Sequence, residues 1–339
     1  MNNNHFQKNQ QNHVGNHFIK QIKQMLGKSN TKHFIPVHPQ KNFPLNAMEV
    51  TDFIKMDLPK RENILSPWLP VQGLAMIYAP RGVGKTHMAL AIAYAVVSNT
   101  SFLGWQSSKP RGVLYLDGEM PASLMQERPA TLLVRDSIPF SVPFRLITPD
   151  LQSLGMLDLA TLKGQMHLES YLHDIELIIV DNISTLCRNI KENEADSWHP
   201  VQEWVLKMCA SGKSVLFIHH AGKSGHQRGT SKREDILDTV IALRRPNEYK
   251  SKDGAIFEIH FEKARGFFGE TANPFEVQLM INDAGMQEWI IRSINTHDQI
   301  IDLAKKGYKQ SQIAEQVNLH KSNVSRHIRQ AIQEGKITK

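Results

Sequence analysis

The sequence predicts an α/β protein: a doubly wound, mostly parallel sheet with antiparallel strands added at one edge, followed by a small all-α module. Three observations carry that expectation. Between about residues 46 and 230, short uninterrupted apolar runs alternate with stretches of helical period, the pattern of strands buried on both faces and joined by crossover helices. After residue 230 the pattern becomes strand-rich, and near Thr296 it changes to three short helical segments separated by tight turns. A polar basic tail over 1–45, an α/β body over 46–295 and a helical module over 296–339 follow as the expected domains. No internal repeat is visible.

Residues 1–45 are rich in Asn, Gln, His and Lys. Apart from one apolar-periodic piece (Phe18, Ile19, Ile22, Met25, Leu26), they bury too little apolar surface to offset chain entropy, so this tail is expected to be mostly disordered. Its histidines, at 5, 13, 17, 33 and 38, are too irregularly spaced to predict a metal site. The body then reads as strand 74–78, helix 84–97, strand 113–117, a helix near 121–134, strand 144–148, helix 159–174, strand 177–181, helix 201–210 and strand 214–220. Four further strands, 238–245, 255–264, 275–281 and 288–293, have no helices between them and are expected to pair antiparallel at one sheet edge.

Composition excludes several classes. With 339 residues, 41% hydrophobic and 22% charged, the chain can form one large core and a small second one. No apolar run approaches the roughly 18–20 residues of a membrane span, and the polar first residues lack the apolar stretch of a secretory signal. Cys187 and Cys209 are too few for a disulfide framework or a cysteine-built metal site, and a reducing, cytoplasmic setting is expected. The net charge of +7 is concentrated at the ends: residues 1–60 carry eight Lys and three acids, residues 297–339 carry eight Lys/Arg and four acids, and the middle is left at −2. Basic ends suit contact with a polyanion such as nucleic acid, although for the tail a merely solvated role is an equal alternative.

The strongest motif is Ala79-Pro80-Arg81-Gly82-Val83-Gly84-Lys85-Thr86, with His87 directly behind it. It follows a strand and opens a helix, the context in which glycines let backbone N–H groups cradle phosphate oxygens at a helix N-terminus. Lys85 is expected to reach the β- and γ-phosphates and the Thr86 hydroxyl to ligate Mg²⁺. Ala79 stands where a first glycine is usual. A second element is Asp181 at the carboxyl end of the apolar strand LIIVD, placed to hold the Mg²⁺ shell or, more simply, to cap a helix. A third is Asp117-Gly118-Glu119-Met120, where the glycine lets Glu119 leave the sheet top as the base for an attacking water, with Asp117 in a structural role. A fourth is His219-His220 at a strand tip, where His220 is expected to sense the γ-phosphate.

In this order, these residues together with FIHHAGKSGHQRGTSKRED and FEKARG resemble the RecA-type ATPase superfamily, and most closely the RepA-like plasmid replicative helicases, over about residues 65–280. The resemblance implies a RecA-like fold, Glu119 as catalytic carboxylate, His220 as γ-phosphate sensor, and a ring with ATP between neighbouring subunits. A ring needs a cation delivered in trans. Arg228 is one candidate; Lys263 and Arg265, similar to the Lys-x-Arg finger of DnaB-type helicases, form the other, with Arg265 preferred. The glycine-rich loop 221–233 is expected to face the ring channel and track DNA phosphates with Lys223, Lys232 and Arg233. No primase-like zinc motif and no DnaB-like N-terminal helical domain accompany this core.

Residues 310–328 resemble a helix-turn-helix, with Ala314 at the helix crossing, Asn318 in the turn and Ile313, Val317, Leu319, Val324 and Ile328 as the apolar contact set. The second helix, about 321–334, then offers Lys321, Ser322, Asn323, Ser325, Arg326 and Arg329 to a major groove. The expected protein is thus an ATP- and Mg²⁺-dependent DNA helicase or translocase, forming a homo-oligomer, a hexamer by resemblance. A nucleotide-switched DNA-binding regulator shares every motif. A small-molecule P-loop kinase needs neither the finger nor the helix-turn-helix.

Overall fold

A computed structural model describes residues 47–136, 140–190, 195–222, 233–246, 249–250, 254–282, 287–293, 296–317 and 319–337. The tail over 1–45 lies outside them, with its histidines and its apolar-periodic piece. The chain divides between Lys60 and Arg61 into two units. The described part of the first holds one short helix, α1 (Val50–Lys55), which buries none of its residues.

The second unit opens with two short strands, β1 (Asn63–Leu65) and β2 (Leu69–Pro70), followed by β3 (Leu74–Ala79), α2 (Lys85–Ser98), the hairpin β4 (Ser101–Phe102) and β5 (Trp105–Gln106), β6 (Val113–Asp117), α3 (Ala122–Asp136) and β7 (Phe144–Ile147). Then come α4 (Leu162–Met166), β8 (Leu177–Asp181), α5 (Ile183–Leu186), α6 (His199–Ala210), β9 (Ser214–His220) and the strand-rich tract β10 (Thr239–Arg244), β11 (Ile256–Ala264), β12 (Phe275–Ile281) and β13 (Gln287–Ser293). Nine strands form one sheet in the order β13-β12-β11-β10-β3-β9-β8-β6-β7. The six from β10 to β7 are parallel, and β11, β12 and β13 extend the β10 edge antiparallel. The fold is the α/β, mostly parallel sheet that the alternation predicted, and it is RecA-like as the motif resemblance implied.

The continuous apolar strands explain the two-faced burial. Along β8, Leu177 and Ile179 enter one core while Ile178 and Val180 enter the other. The first core is covered by α2, which is apolar on every side from Met88 to Val97 and ends at Asn99 in a left-handed conformation. The second is covered by Val201, Trp204, Val205 and Met208 of α6. Because successive side chains point to opposite faces, one residue of register decides which layer each strand-end polar group joins.

Two expectations are corrected. The helix expected over 159–174 is broken into α4 and a 3-10 turn at Glu169–Tyr171. Thr161 caps α4 through the Gly164 N–H, and Gly164 lies so close to the chain that a Cβ there would stand 2.0 Å from the Asp158 carbonyl oxygen. Close packing, rather than period, decides that segment. The β1–β2 and β4–β5 pairs were not anticipated, being too short to carry a period of their own.

The C-terminal segment forms three helices, α7 (Thr296–Lys305), α8 (Gln310–Gln316) and α9 (Lys321–Gln333), around Ile300, Ile313 and Val324. Ala314, Val317, Leu319 and Ile328 pack against that core, so the whole apolar set expected from sequence is in place. Asn318 lies outside the described residues.

Candidate nucleotide site

The strand order brings the carboxyl ends of β3, β9, β8 and β6 side by side, although they are far apart in sequence. In register, Ala79 lies opposite His220, Ile218 opposite Asp181, and Asp181 opposite Asp117. The sequence-predicted residues Lys85, Thr86, Asp117, Glu119, Asp181 and His220 therefore converge at one sheet end.

The loop from Ala79 to Thr86 turns through two left-handed glycines, Gly82 at φ +73° and Gly84 at φ +120°. A side chain at Gly84 would also meet Phe257 at 3.1 Å. Gly84 is the N-cap of α2 and supplies no side-chain cap, so the first-turn N–H groups face the loop interior, a setting for phosphate oxygens. Lys85 is buried, and its Nζ donates to the carbonyls of Ala79 at 3.0 Å and Pro80 at 2.9 Å. Burial, opposed by the carboxylates of Asp181 and Glu119, lowers its pKa to about 8. An anionic ligand offsets that desolvation. His87 is partly buried within electrostatic range of Arg128 on α3, and burial first, then Arg128, pushes its pKa down to about 4.

Asp181 is buried at the tip of β8, where its Oδ2 accepts the Tyr115 hydroxyl at 2.6 Å and the carboxylate also accepts the Thr86 hydroxyl. Burial raises its pKa, and these two donors oppose the rise. The donor set fits Mg²⁺, a hard cation that takes oxygen ligands and is held by one or two protein oxygens plus substrate phosphates and water. Thr86 and Asp181 supply such a pair. Among the described residues no group of three or more His, Cys, Asp or Glu is arranged to hold a metal alone.

Asp117 has the structural role anticipated for it. Its Oδ1 accepts the backbone N–H groups of Glu119 and Met120, both at 3.1 Å, and its Oδ2 accepts the Thr148 hydroxyl at 2.9 Å. Burial raises its pKa, with those hydrogen bonds opposing. The Asp117 turn aims Glu119 out of the sheet, where its side chain is 55% exposed and Oε2 accepts the Asn182 amide at 2.6 Å. His220 Nε2 lies 3.7 Å from the same oxygen. Burial, with Lys85 and Arg81, lowers the His220 pKa while Glu119 opposes, which leaves a neutral imidazole at neutral pH.

A family model of the AAA domain matches residues 37–226, more than half of the chain and the whole of this constellation. The chain belongs to the AAA domain family. It is therefore a P-loop ATPase-type protein. No curated protein matches it. Lys263, Arg265 and the C-terminal helices lie beyond the part matched as AAA domain.

Arg265 and Lys263 stand at the other end of the sheet. Thr239 pairs with both Ala75 and Ala264, so the end of β11 lies beside the start of β3, while the phosphate loop follows its end. Roughly 13 Å of strand separates the two levels at about 3.3 Å per residue. Lys263 Nζ donates to the carbonyls of Glu234 and Asp235, and Arg265 Nη2 to Asp235 O at 3.4 Å. Lys223, Arg228 and Lys232 lie outside the described residues.

Arg233 is corrected: it is 2% exposed, its guanidinium is 5.2 Å from the centre of the Trp198 ring, and Nη1 is 3.4 Å from His219 Nε2. A guanidinium so enclosed offers nothing to a nucleic-acid backbone. His219, one residue from His220, correspondingly faces the α6 side of the sheet. On α9, Lys321, Ser322, Arg326 and Arg329 are exposed, while Asn323 and Ser325 are partly buried. Sequence reasoning passed over Tyr115, Asn182 and Arg245, whose Nη2 lies 3.4 Å from the Gly82 carbonyl and whose guanidinium stacks on Tyr249 at 4.3 Å. No local signal marks their contacts with Asp181, Glu119 and Gly82, because those partners are distant in sequence.

Among the described residues no helix is long and apolar enough to cross a membrane.

Proposed function

We propose that the protein is a ring-forming DNA motor, a RepA-like helicase or translocase that hydrolyses ATP in plasmid, phage or mobile-element replication. The α2 N-terminus and Lys85 bind the triphosphate. Mg²⁺, held through Thr86 and Asp181, would neutralise charge on the β- and γ-phosphate oxygens. Glu119 takes a proton from the attacking water through the carboxylate oxygen not engaged by Asn182, and His220, beside the same carboxylate, responds to the γ-phosphate. General-base assistance of this kind contributes about 10²–10⁴ in rate.

The observation that carries the ring reading is the separation of base and finger. Glu119 and Lys85 lie at one end of the sheet and Lys263 and Arg265 at the other, so these two cations serve catalysis only at a neighbouring copy's nucleotide. A hexamer closes such a head-to-tail contact. For DNA, α8 and α9 form a helix-turn-helix whose exposed side carries Lys321, Ser322, Arg326 and Arg329, with Asn323 and Ser325 beside them. That same module favours a second reading, a nucleotide-switched regulator of replication or transcription bound at a duplex site.

An ATPase assay with and without single-stranded DNA, run beside strand displacement, separates the two. Stimulation by single strands with unwinding supports the motor. Stimulation by one duplex sequence alone, without unwinding, overturns it in favour of the regulator.

A further inference from the structure

We infer that Asn182 is the positioning residue of the base, a carboxamide that holds Glu119 by a single oxygen and ties it to the N-terminus of α5. The inference rests on the proposed role of Glu119. Asn182 Nδ2 donates to Glu119 Oε2 at 2.6 Å. Asn182 is only 2% exposed, so the bond is made on the buried side of a carboxylate that otherwise faces solvent. At the other end of the same side chain, Oδ1 accepts the Thr185 N–H at 3.3 Å and caps α5. Turning the amide over would sacrifice both contacts.

The turn that carries Glu119 is seated on the same helix end. Gly118 N–H donates to the Asp181 carbonyl at 2.8 Å, and a Cβ at Gly118 would meet Thr185 Oγ1 at 2.3 Å. The Glu119 backbone is thus fixed by Asp117 and its tip by Asn182. Both polar neighbours of the tip, Asn182 and His220, lie on Oε2. Among the described residues Oε1 carries no hydrogen bond and is left to accept from water. A glutamate has three side-chain torsions to immobilise, and restraining them before substrate arrives lowers the entropic part of the barrier.

Residue chemistry makes the inference specific. Asp at 182 caps a helix as well as Asn does, but places an oxygen where Glu119 needs a donor. Ser also caps, but its side chain is too short to serve α5 and Glu119 together. Only a carboxamide of this length does both.

Asn182→Asp therefore separates the two roles. Its kcat is expected to fall by about 30-fold, and that of Asn182→Ser by about tenfold, with the ATP dissociation constant, measured by equilibrium binding, and the melting temperature close to wild type. In a Glu119→Gln background the Asp substitution is expected to change the residual rate less than about twofold, since no base remains to be positioned. Wild-type kcat in Asn182→Asp, a loss confined to ATP binding, or an equal loss in the Glu119→Gln background overturns the inference. If the Asp variant does not fold, the Ser variant decides by the same criteria. Full turnover in Glu119→Gln alone sinks the base assignment itself, an outcome distinct from an inactive Glu119→Gln with an active Asn182→Asp.

Discussion

The sheet body and the C-terminal bundle treat polar groups in opposite ways. In the body, strands buried on both faces deliver Lys85, Asp117, Asp181 and His220 to a site where each is less than a tenth exposed. Burial lowers the Lys85 and His220 pKa values and raises those of Asp117 and Asp181. In the bundle, the central cluster of Ile300, Ile313 and Val324 is small, and Lys321, Arg326 and Arg329 stay in water. Chemistry on a triphosphate gains from fixed groups in a dry setting, because their interactions there are stronger. A surface that meets a polyanion gains instead from cations that need not be desolvated first. The two arginine environments make the point: Arg233 lies against Trp198 in the body, whereas Arg326 and Arg329 lie on the open side of α9.

The sharpest way to break this comparison is Lys85→Ala. ATP hydrolysis is expected to fall at least about 100-fold in a turnover assay, while the duplex DNA binding proposed for the bundle, followed by fluorescence anisotropy, is retained. Full turnover in this variant would remove the phosphate-loop assignment. Next in size is a pair of core truncations. Ile179→Ala, in the middle of β8, is expected to cost about 3–4 kcal/mol and to lower the main calorimetric transition, with loss of nucleotide binding on warming. Ile313→Ala is expected to cost about 2–3 kcal/mol, at the low end because a small bundle can collapse around the gap. It should melt the C-terminal helices while nucleotide binding persists; a single shared transition in both variants would show that the two regions are not separate in stability.

A smaller effect sharpens the electrostatic side. Arg326→Ala is expected to weaken duplex binding several-fold and to reduce the slope of log K against log salt by about 1, with basal ATPase unchanged. A salt response as steep as wild type would take Arg326 off the phosphate backbone. The smallest effect concerns the thiols. Burial pushes the Cys187 thiol well above its ordinary range and the Cys209 thiol to about 11, with the Asp238 carboxylate adding to the latter. At pH 8 only on the order of 10⁻³ of Cys209 is thiolate, so a thiol reagent should label neither cysteine quickly until the body unfolds. Rapid native labelling of Cys187 would contradict its burial.

How much of this was visible beforehand depended on the distance between partners. The phosphate loop was legible because glycine conformation, helix N-terminus and Lys85 belong to one short stretch. The position of Glu119 at the sheet end was legible through the glycine beside it. Tyr115 and Asn182 were not, since their hydrogen bonds reach Asp181 and Glu119 across 66 and 63 positions of sequence. Arg233 was misjudged for the same reason: a basic, glycine-rich stretch looks solvated until Trp198 and His219 are placed against it. The helix over 159–174 failed because apolar period says nothing of a glycine pressed against the Asp158 carbonyl.

The amino-acid order alone determined the alternation of buried strands and helices, the phosphate loop and the apolar seams of the C-terminal helices, because these follow from period, glycine freedom and side-chain size over a few residues. Tertiary structure decided the neighbours β3, β9, β8 and β6, the face on which each strand-end residue lies, and the removal of Arg265 to the far end of the sheet. Strand pairing and register depend on which apolar faces find each other across the whole chain, and a shift of one residue exchanges His220 for His219 at the site.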